Sequence, residues 1–301
     1  MYWSTLALSA SFIIGLGSVI EKLLVSRYLP GPATFLGWLA LTMIPHAVVL
    51  AFFFPIPEGI PMTTTLAMLG AGASWGMAGN LMYRALQKTE TSRVWPVLNL
   101  APIYVALMAV FFLGETLTGW QWSSILVAVS GTVLISVQPG RPGGHFKIDR
   151  SVFGMLIIAS LLLAAGQVIA KYGLEEMPPL SGFWLMRLGM FASMSLNLSP
   201  GTIRNMLVSV RSPKAMLLIG FTEMLIFPAA VLMMVFATDL GPVSLVSTIN
   251  ATVPAWVLLF STLFSIGRWN LLNEPLDRRT LTLKGIAVVL MLLGVLGVTL
   301  L

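Results

Sequence analysis

The chain has no cysteine, three aspartates, two histidines and only 9% charged residues, too few ionic groups to clothe a water-soluble body of 301 residues. Without cysteine there are no disulfides and no thiolate chemistry. The aspartates, Asp149, Asp239 and Asp277, all fall at or near expected loops, so none is placed for aspartyl catalysis inside an apolar helix. No HExxH site, CxxC pair or phosphate-cradling glycine loop occurs, so no enzyme, metal or cofactor is expected. No Lys or Arg precedes Lys22 and no small-residue cleavage site follows the first apolar stretch, which reads as a retained helix rather than a secretory signal.

What the chain has in abundance is apolar length. It is 57% hydrophobic, with a mean hydropathy of +0.92, and its solvent must be largely a lipid bilayer. Ten apolar stretches are long enough to cross about 30 Å of hydrocarbon as helix. They run over 3–25, 34–54, 65–86, 94–113, 119–138, 152–173, 181–199, 214–236, 243–266 and 280–301. Short breaker-rich turns such as "YLPGPA" (28–33) and "MPPLSG" (177–182) separate them and leave no room for a soluble domain. The expected fold is all-α, polytopic and membrane-embedded.

The net charge of +6 could suggest nucleic acid, but its distribution is topological. Fifteen of the 17 basic residues flank connections 1-2, 3-4, 5-6, 7-8 and 9-10, and only Lys171 and Arg187 flank connection 6-7. The positive-inside rule puts the odd-numbered connections in the cytoplasm and both termini outside. With no organellar transit peptide, the expected location is a prokaryotic cytoplasmic membrane. Trp3, Trp38, Trp95, Trp120, Trp122, Trp184 and Trp269 sit near helix ends, as interfacial belts require.

The sequence also repeats itself. "GSVIEKLLVSRYLPGPATFL" (17–36) aligns without gaps to "GQVIAKYGLEEMPPLSGFWL" (166–185), matching Gly17 with Gly166, Lys22 with Lys171 and Pro30 with Pro179. "TSRVWPVLNLAPIYVALM" (91–108) answers "VSLVSTINATVPAWVLLF" (243–260), pairing Ser92 with Ser244 and Pro102 with Pro254, and Glu115 of "GETL" answers Glu274 of "NEPL". The expectation is two five-helix halves, 1–140 and 150–301. An odd helix count inverts the second copy, the plan that secondary transporters use for alternating access.

These two halves, the "LGETLTGWQW" turn (113–122) and the run "ALQKTETSRVWPVLNLAPIYVALMAVFFLGE" (85–115) resemble the drug/metabolite transporter superfamily, of the EamA-like ten-helix type. The resemblance spans essentially the whole chain. It implies movement of amino acids, drugs, nucleotide sugars or other small metabolites, with many bacterial members resembling exporters. Relatives of this type are usually drawn with both termini in the cytoplasm, opposite to the orientation that the charge count gives here.

Glu223 is the sharpest candidate site residue. It stands alone in "MLLIGFTEMLIFPAAVLMM" (216–234), and an acid in a spanning helix costs several kcal/mol unless it is paired or faces a wet cavity. Such a carboxyl can carry a coupling proton or pair a cationic substrate. Arg187, about two turns inside its helix, and Lys171 can recognise an anionic group, or else snorkel to the interface, with Glu175 or Glu176 as partners for the lysine. Asn80, Gln167 and Asn250 are amides at membrane depth, on helices that resemble the family's cavity-lining ones; Asn99 is a fourth. Glu21 and Lys22 are ambiguous, and His46 reads best as filling the gap below a proline kink. Pro102, Pro254 and Pro228 mark possible hinges. "GASWG" (72–76) offers a small-residue face expected to pack within the monomer, with a weak homodimer as the other use.

The function expected from these residues is secondary active transport, by alternating access, of a small metabolite or drug, either amino-acid-like or another polar or amphipathic solute, in the export direction and with protons as the candidate coupling ion. Glu223 and Arg187 together suit a zwitterion. A passive channel is the alternative, although no ring of charges marks a pore, and an intramembrane enzyme is weaker still.

Overall fold

The computed structural model describes residues 2–89, 91–136, 149–265 and 278–299. Glu274, Asp277, Trp269 and the connections following the fifth and ninth expected segments lie outside the described residues. Each of the ten expected stretches coincides with helix. In order these are α1 (Tyr2–Arg27), α2 (Pro32–Phe53), α3 (Met62–Leu86), the pair α4 (Thr91–Leu98) and α5 (Ala101–Leu113), α6 (Gly119–Ser136), α7 (Arg150–Leu174) and α8 (Pro179–Met194). After a short α9 (Pro200–Ser209) come α10 (Pro213–Phe221) and α11 (Phe227–Leu240) joined by a π-turn, then α12 (Val243–Asn250), α13 (Val253–Ser265) and α14 (Arg278–Thr299). Among the described residues, seven stretches are long and apolar enough to cross a membrane. Outside that group fall α3, α6 and α8, helices of 25, 18 and 16 residues.

Helix starts follow from local chemistry. Asp149 accepts the Ser151 amide at 3.1 Å to open α7, and Ser199 and Ser212, each followed by proline, cap α9 and α10. The sequence pattern left 200–209 as connection. It folds as helix because the Ser199 cap is in place and because Thr202 and Met206 fit the space above Gly37 of α2.

The packing is that of a protein in lipid. Phe52, Phe111, Phe112 and Leu217 are largely exposed, while the buried set is rich in Ala, Ser and Thr. Exposed apolar bulk on this scale has no place on a water-soluble monomer. Helices meet through glycine: α3 lies on α8 so closely that a Cβ on Gly72 would sit 1.9 Å from the Met186 carbonyl oxygen, and one on Gly189 would sit 1.9 Å from that of Leu69. The "GASWG" face is therefore spent inside the chain. Gly131, Gly294 and Gly297 join α6 to α14 in the same way. Around the centre, α1 packs on α11 and α13 while α7 packs on α3 and α5.

Candidate functional site

Two interrupted helices define the middle of the molecule. Pro102 and Pro254 lack the amide that would continue the α-pattern, and the chain breaks just before each, at Asn99–Leu100 and at Ala251–Thr252. The Pro102 break frees the Leu98 carbonyl, which the Ser160 hydroxyl of α7 takes at 3.3 Å. Ser11 of α1 makes a longer contact, 3.5 Å, to the Ile249 carbonyl beside the second break. α6 steadies both breaks: the Thr132 hydroxyl donates to the Ala251 carbonyl at 3.1 Å, and Asn99 Nδ2 donates to the Ser136 hydroxyl at 3.0 Å.

Between the breaks lies a cavity of about 370 Å³. Gln167, Asn250, Asn99, Ser18, Thr238 and Ser247 give it polar points in a mostly apolar wall that includes Trp95, Pro102 and Pro254. Asn250 Oδ1 is buried with no hydrogen-bond partner. Trp75, Met186 and Val231 separate this chamber from a second of about 220 Å³, which also touches Glu21, Met43, Phe183, Arg187, Glu223 and Phe227.

The second chamber carries the charge. Glu223 is 1% exposed and Arg187 5%, yet neither carboxylate oxygen of Glu223 has a hydrogen-bond partner, nor have Nε and Nη2 of Arg187. Nη1 of Arg187 donates to Met43 Sδ at 2.9 Å, and the guanidinium stands 4.6 Å from the Phe183 ring centroid. Arg187 and Glu223 are near enough to feel each other's charge, and the half-buried Glu21 of α1 brings a second carboxyl beside Glu223. Two carboxyls that face each other and one cation thus share one small apolar space, in which Nε and Nη2 of the guanidinium have no partner. Unpartnered polar atoms on buried charged groups are costly, so each calls for a physical explanation.

Glu223 owes its position to the π-turn Thr222–Ile226, in which the Phe227 amide reaches back five residues to Thr222. Pro228 follows at once. Its ring crowds the Met224 carbonyl and offers it no amide, so the helix widens there.

The structure distributes the expected site residues unevenly. Glu223 and Arg187 share the smaller chamber, and Gln167, Asn250, Pro102 and Pro254 line the larger one. Pro228 is buried behind the π-turn. Two of the expected residues, Asn80 and Lys171, line neither chamber. Asn80 donates to the Ser193 carbonyl at 2.8 Å and accepts from Asn197, binding α3 to the end of α8. The Lys171 ammonium donates to the Thr238 and Asp239 carbonyls at 2.9 and 3.1 Å, at the end of α11. Glu176, its expected partner, accepts instead from the Thr64 hydroxyl at 2.5 Å. Glu21, Trp75, Ser18, Thr238 and Ser247 line the chambers without having been singled out as ligands.

Glu115 has a structural task. Gly114 ends α5 in the left-handed conformation, φ 68°, turning the next side chain toward α12. Its carboxylate accepts the Val243 amide at 2.7 Å, the Ser244 amide at 3.3 Å and the Ser244 hydroxyl. An anion at a helix N-terminus is favoured by the helix dipole as well as by its hydrogen bonds. Glu115→Ala is expected to destabilise the protein by about 1–3 kcal/mol, with Glu115→Gln losing less. Equal melting temperatures for wild type and Glu115→Ala in detergent would dismiss the clamp.

Among the described residues no three His, Cys, Asp or Glu side chains converge as a metal site. Comparison with known proteins shows what the chain is similar to. Residues 1–137 match the EamA-like transporter family. The chain is 28% identical over 136 residues to an uncharacterized transporter from the cobO 3′ region of a Sinorhizobium species, covering 45% of this chain and 96% of that one. It is 25% identical over 157 residues to a chloroplastic WAT1-related protein of Arabidopsis thaliana, covering 50% of this chain but only 37% of the plant protein. A protein of known crystal structure, 13% identical, shares the fold over 99% of this chain and 97% of its own, with a TM-score of 0.69. The first 137 residues of this integral membrane protein are thus similar to the EamA-like transporter family, and the names of transporter and WAT1-related protein belong to the two relatives themselves.

Proposed function

We propose that the protein is a secondary transporter that exports a zwitterionic, amino-acid-like metabolite, holding its charged end in the smaller chamber and its side group in the larger. The observation that carries this reading is the pair Arg187 and Glu223: opposite charges, both buried, both with unsatisfied polar atoms, on the wall of one cavity. A carboxylate suits the planar fork of Arg187, and an ammonium suits Glu223. Glu21 makes the chamber's own ionic count one cation against two carboxyls. A proton on the carboxyl pair balances that count, which makes the pair the candidate for proton coupling.

Access alternates, in this reading, by rocking two inverted five-helix halves, 1–140 and 150–301, about the breaks at Pro102 and Pro254. Support comes from contacts that repeat between the halves. Gly17 of α1 makes room for Phe227, and its aligned Gly166 of α7 makes room for Trp75. Ser11 and Ser160, separated by the same offset, each reach a carbonyl at the opposite half's break. The cytoplasmic side holds the odd-numbered connections, by their basic residues, in a prokaryotic cytoplasmic membrane.

The test is flux in proteoliposomes loaded with L-methionine, a zwitterion with an unbranched apolar side group. Glu223→Gln is expected to lower the flux about 10–100-fold, the worth of one charge-assisted contact of roughly 1.5–3 kcal/mol. Wild-type flux in Glu223→Gln, with unchanged response to a proton gradient, removes the role given to Glu223. Flux that never saturates and ignores any second gradient would favour a passive channel instead.

A further inference from the structure

The helix that carries Glu223 contains a defect that a residue of another helix repairs. In an α-helix the amide of residue 228 donates to the carbonyl of residue 224, but Pro228 has no amide. The Met224 carbonyl is instead met by Nε2 of His46, from α2, at 3.3 Å. A carbonyl only accepts, so Nε2 carries the proton and donates. The rest of the ring faces the Thr42 carbonyl of its own helix, with Nδ1 buried and outside hydrogen-bond geometry, so the Met224 contact is the ring's link to the π-turn. Met224 is the neighbour of Glu223 in that turn, and α2 also supplies Met43, which holds Arg187 through its sulfur. One face of α2 therefore touches Arg187 directly and the backbone of the residue beside Glu223.

We propose that His46 is a positioning residue for the binding site: by donating to the carbonyl that Pro228 leaves open, it holds the π-turn in the form that points Glu223 into the chamber. The inference rests on the proposed role of Glu223 as a substrate or proton ligand. His46 itself touches no substrate in this assignment. Its imidazole acts as a neutral donor, replaceable by any side chain of similar reach with an N–H. The defect and its repair form a matched pair, because restoring an amide at position 228 removes the need for the histidine.

The test uses the purified full-length protein and three variants: His46→Leu, which lacks the donor; His46→Gln, which keeps one; and the double variant His46→Leu/Pro228→Ala, which returns the helix's own amide. Two readouts are taken. The first is the infrared carboxyl band of Glu223, identified as the band missing in Glu223→Gln. The second is the L-methionine concentration that gives half-maximal thermal stabilisation. In His46→Leu the band is expected to shift and the half-maximal concentration to rise roughly tenfold or more, the usual effect of a displaced binding group. His46→Gln and the double variant are expected to recover both.

A lower melting temperature in His46→Leu with an unmoved Glu223 band would make His46 a packing residue and overturn the inference. Should His46→Leu fail to fold, the double variant decides: a wild-type band there supports the pairing of His46 with Pro228, and a displaced band or failure to fold overturns it. If L-methionine does not stabilise even the wild-type protein, the zwitterion reading falls, and the infrared comparison still judges the positioning of Glu223 separately.

Discussion

Arg187→Met is expected to lower the stability of the protein by about 3–5 kcal/mol, the cost of stranding a buried charge whose partner has been removed. The guanidinium is the cation facing Glu223 in the smaller chamber, and Glu21 adds a second carboxyl beside it. Methionine fills similar space and suits the apolar neighbours Met43 and Phe183, so the loss is electrostatic rather than a cavity effect. Adding Glu223→Gln to Arg187→Met therefore restores a large part of the stability. Arg187→Lys restores less, because an ammonium lacks the planar group that lies over Phe183. Thermal unfolding in one detergent measures all four proteins. If the double variant melts no higher than Arg187→Met, the two charges do not compensate each other and the site has been described wrongly.

The second large effect is steric. Gly72→Val and Gly189→Val each place side-chain atoms where a carbonyl oxygen of the facing helix stands 1.9 Å from the first added carbon. Backbone cannot rotate aside as a flexible side chain can, so α3 and α8 must separate. Overpacking typically costs about 1–3 kcal/mol, and a clash against backbone belongs at or beyond the upper end. Separation of α3 from α8 would also pull Trp75 and Met186 apart, merging the two chambers. Gly70→Ala is the control on the same helix: nothing lies within 4 Å of its added carbon, and alanine is the better helix former by about 0.5–1 kcal/mol. Folding of Gly72→Val as well as Gly70→Ala, judged by elution profile and melting, would refute the close crossing.

The sequence discloses depth along each helix and almost nothing of direction around it. Glu223 was legible because a lone acid in 19 apolar residues is an anomaly at any rotation. Arg187 was legible for the same reason. Asn80 and Asn250 are the same amide at comparable depth, yet one is consumed by the end of α8 and the other faces a cavity with its oxygen free. That difference is one of direction around the helix axis. Glu21 was obscured by its neighbour Lys22, since a charge pair near a helix end reads as interfacial. The prolines announced kinks, and the structure shows complete interruptions at Pro102 and Pro254 and a π-turn at Pro228, because in each case a second helix supplies partners for the freed backbone. His46 was expected beneath a proline kink. It does sit beneath one, although the proline is Pro228 of another helix rather than its own neighbour Pro45.

The turn between α11 and α12 has a thermodynamic implication. Lys171 grips its beginning through two carbonyls, Glu115 grips its end through two amides and a hydroxyl, and Gly241 lies so close to Trp3 that a Cβ would stand 2.7 Å from the ring. Any state in which that end of the bundle parts must give up both charged grips. Hydrogen bonds to charged groups contribute roughly 1.5–3 kcal/mol each, so losing one such contribution at each grip disfavours the parted state by about 3–6 kcal/mol. By themselves these grips weight the closed form over the parted one by roughly a hundredfold to ten-thousandfold. A solute that crosses by opening that end must bind the open form more tightly than the closed one by a comparable factor, since equal affinity for both would leave that balance where it was.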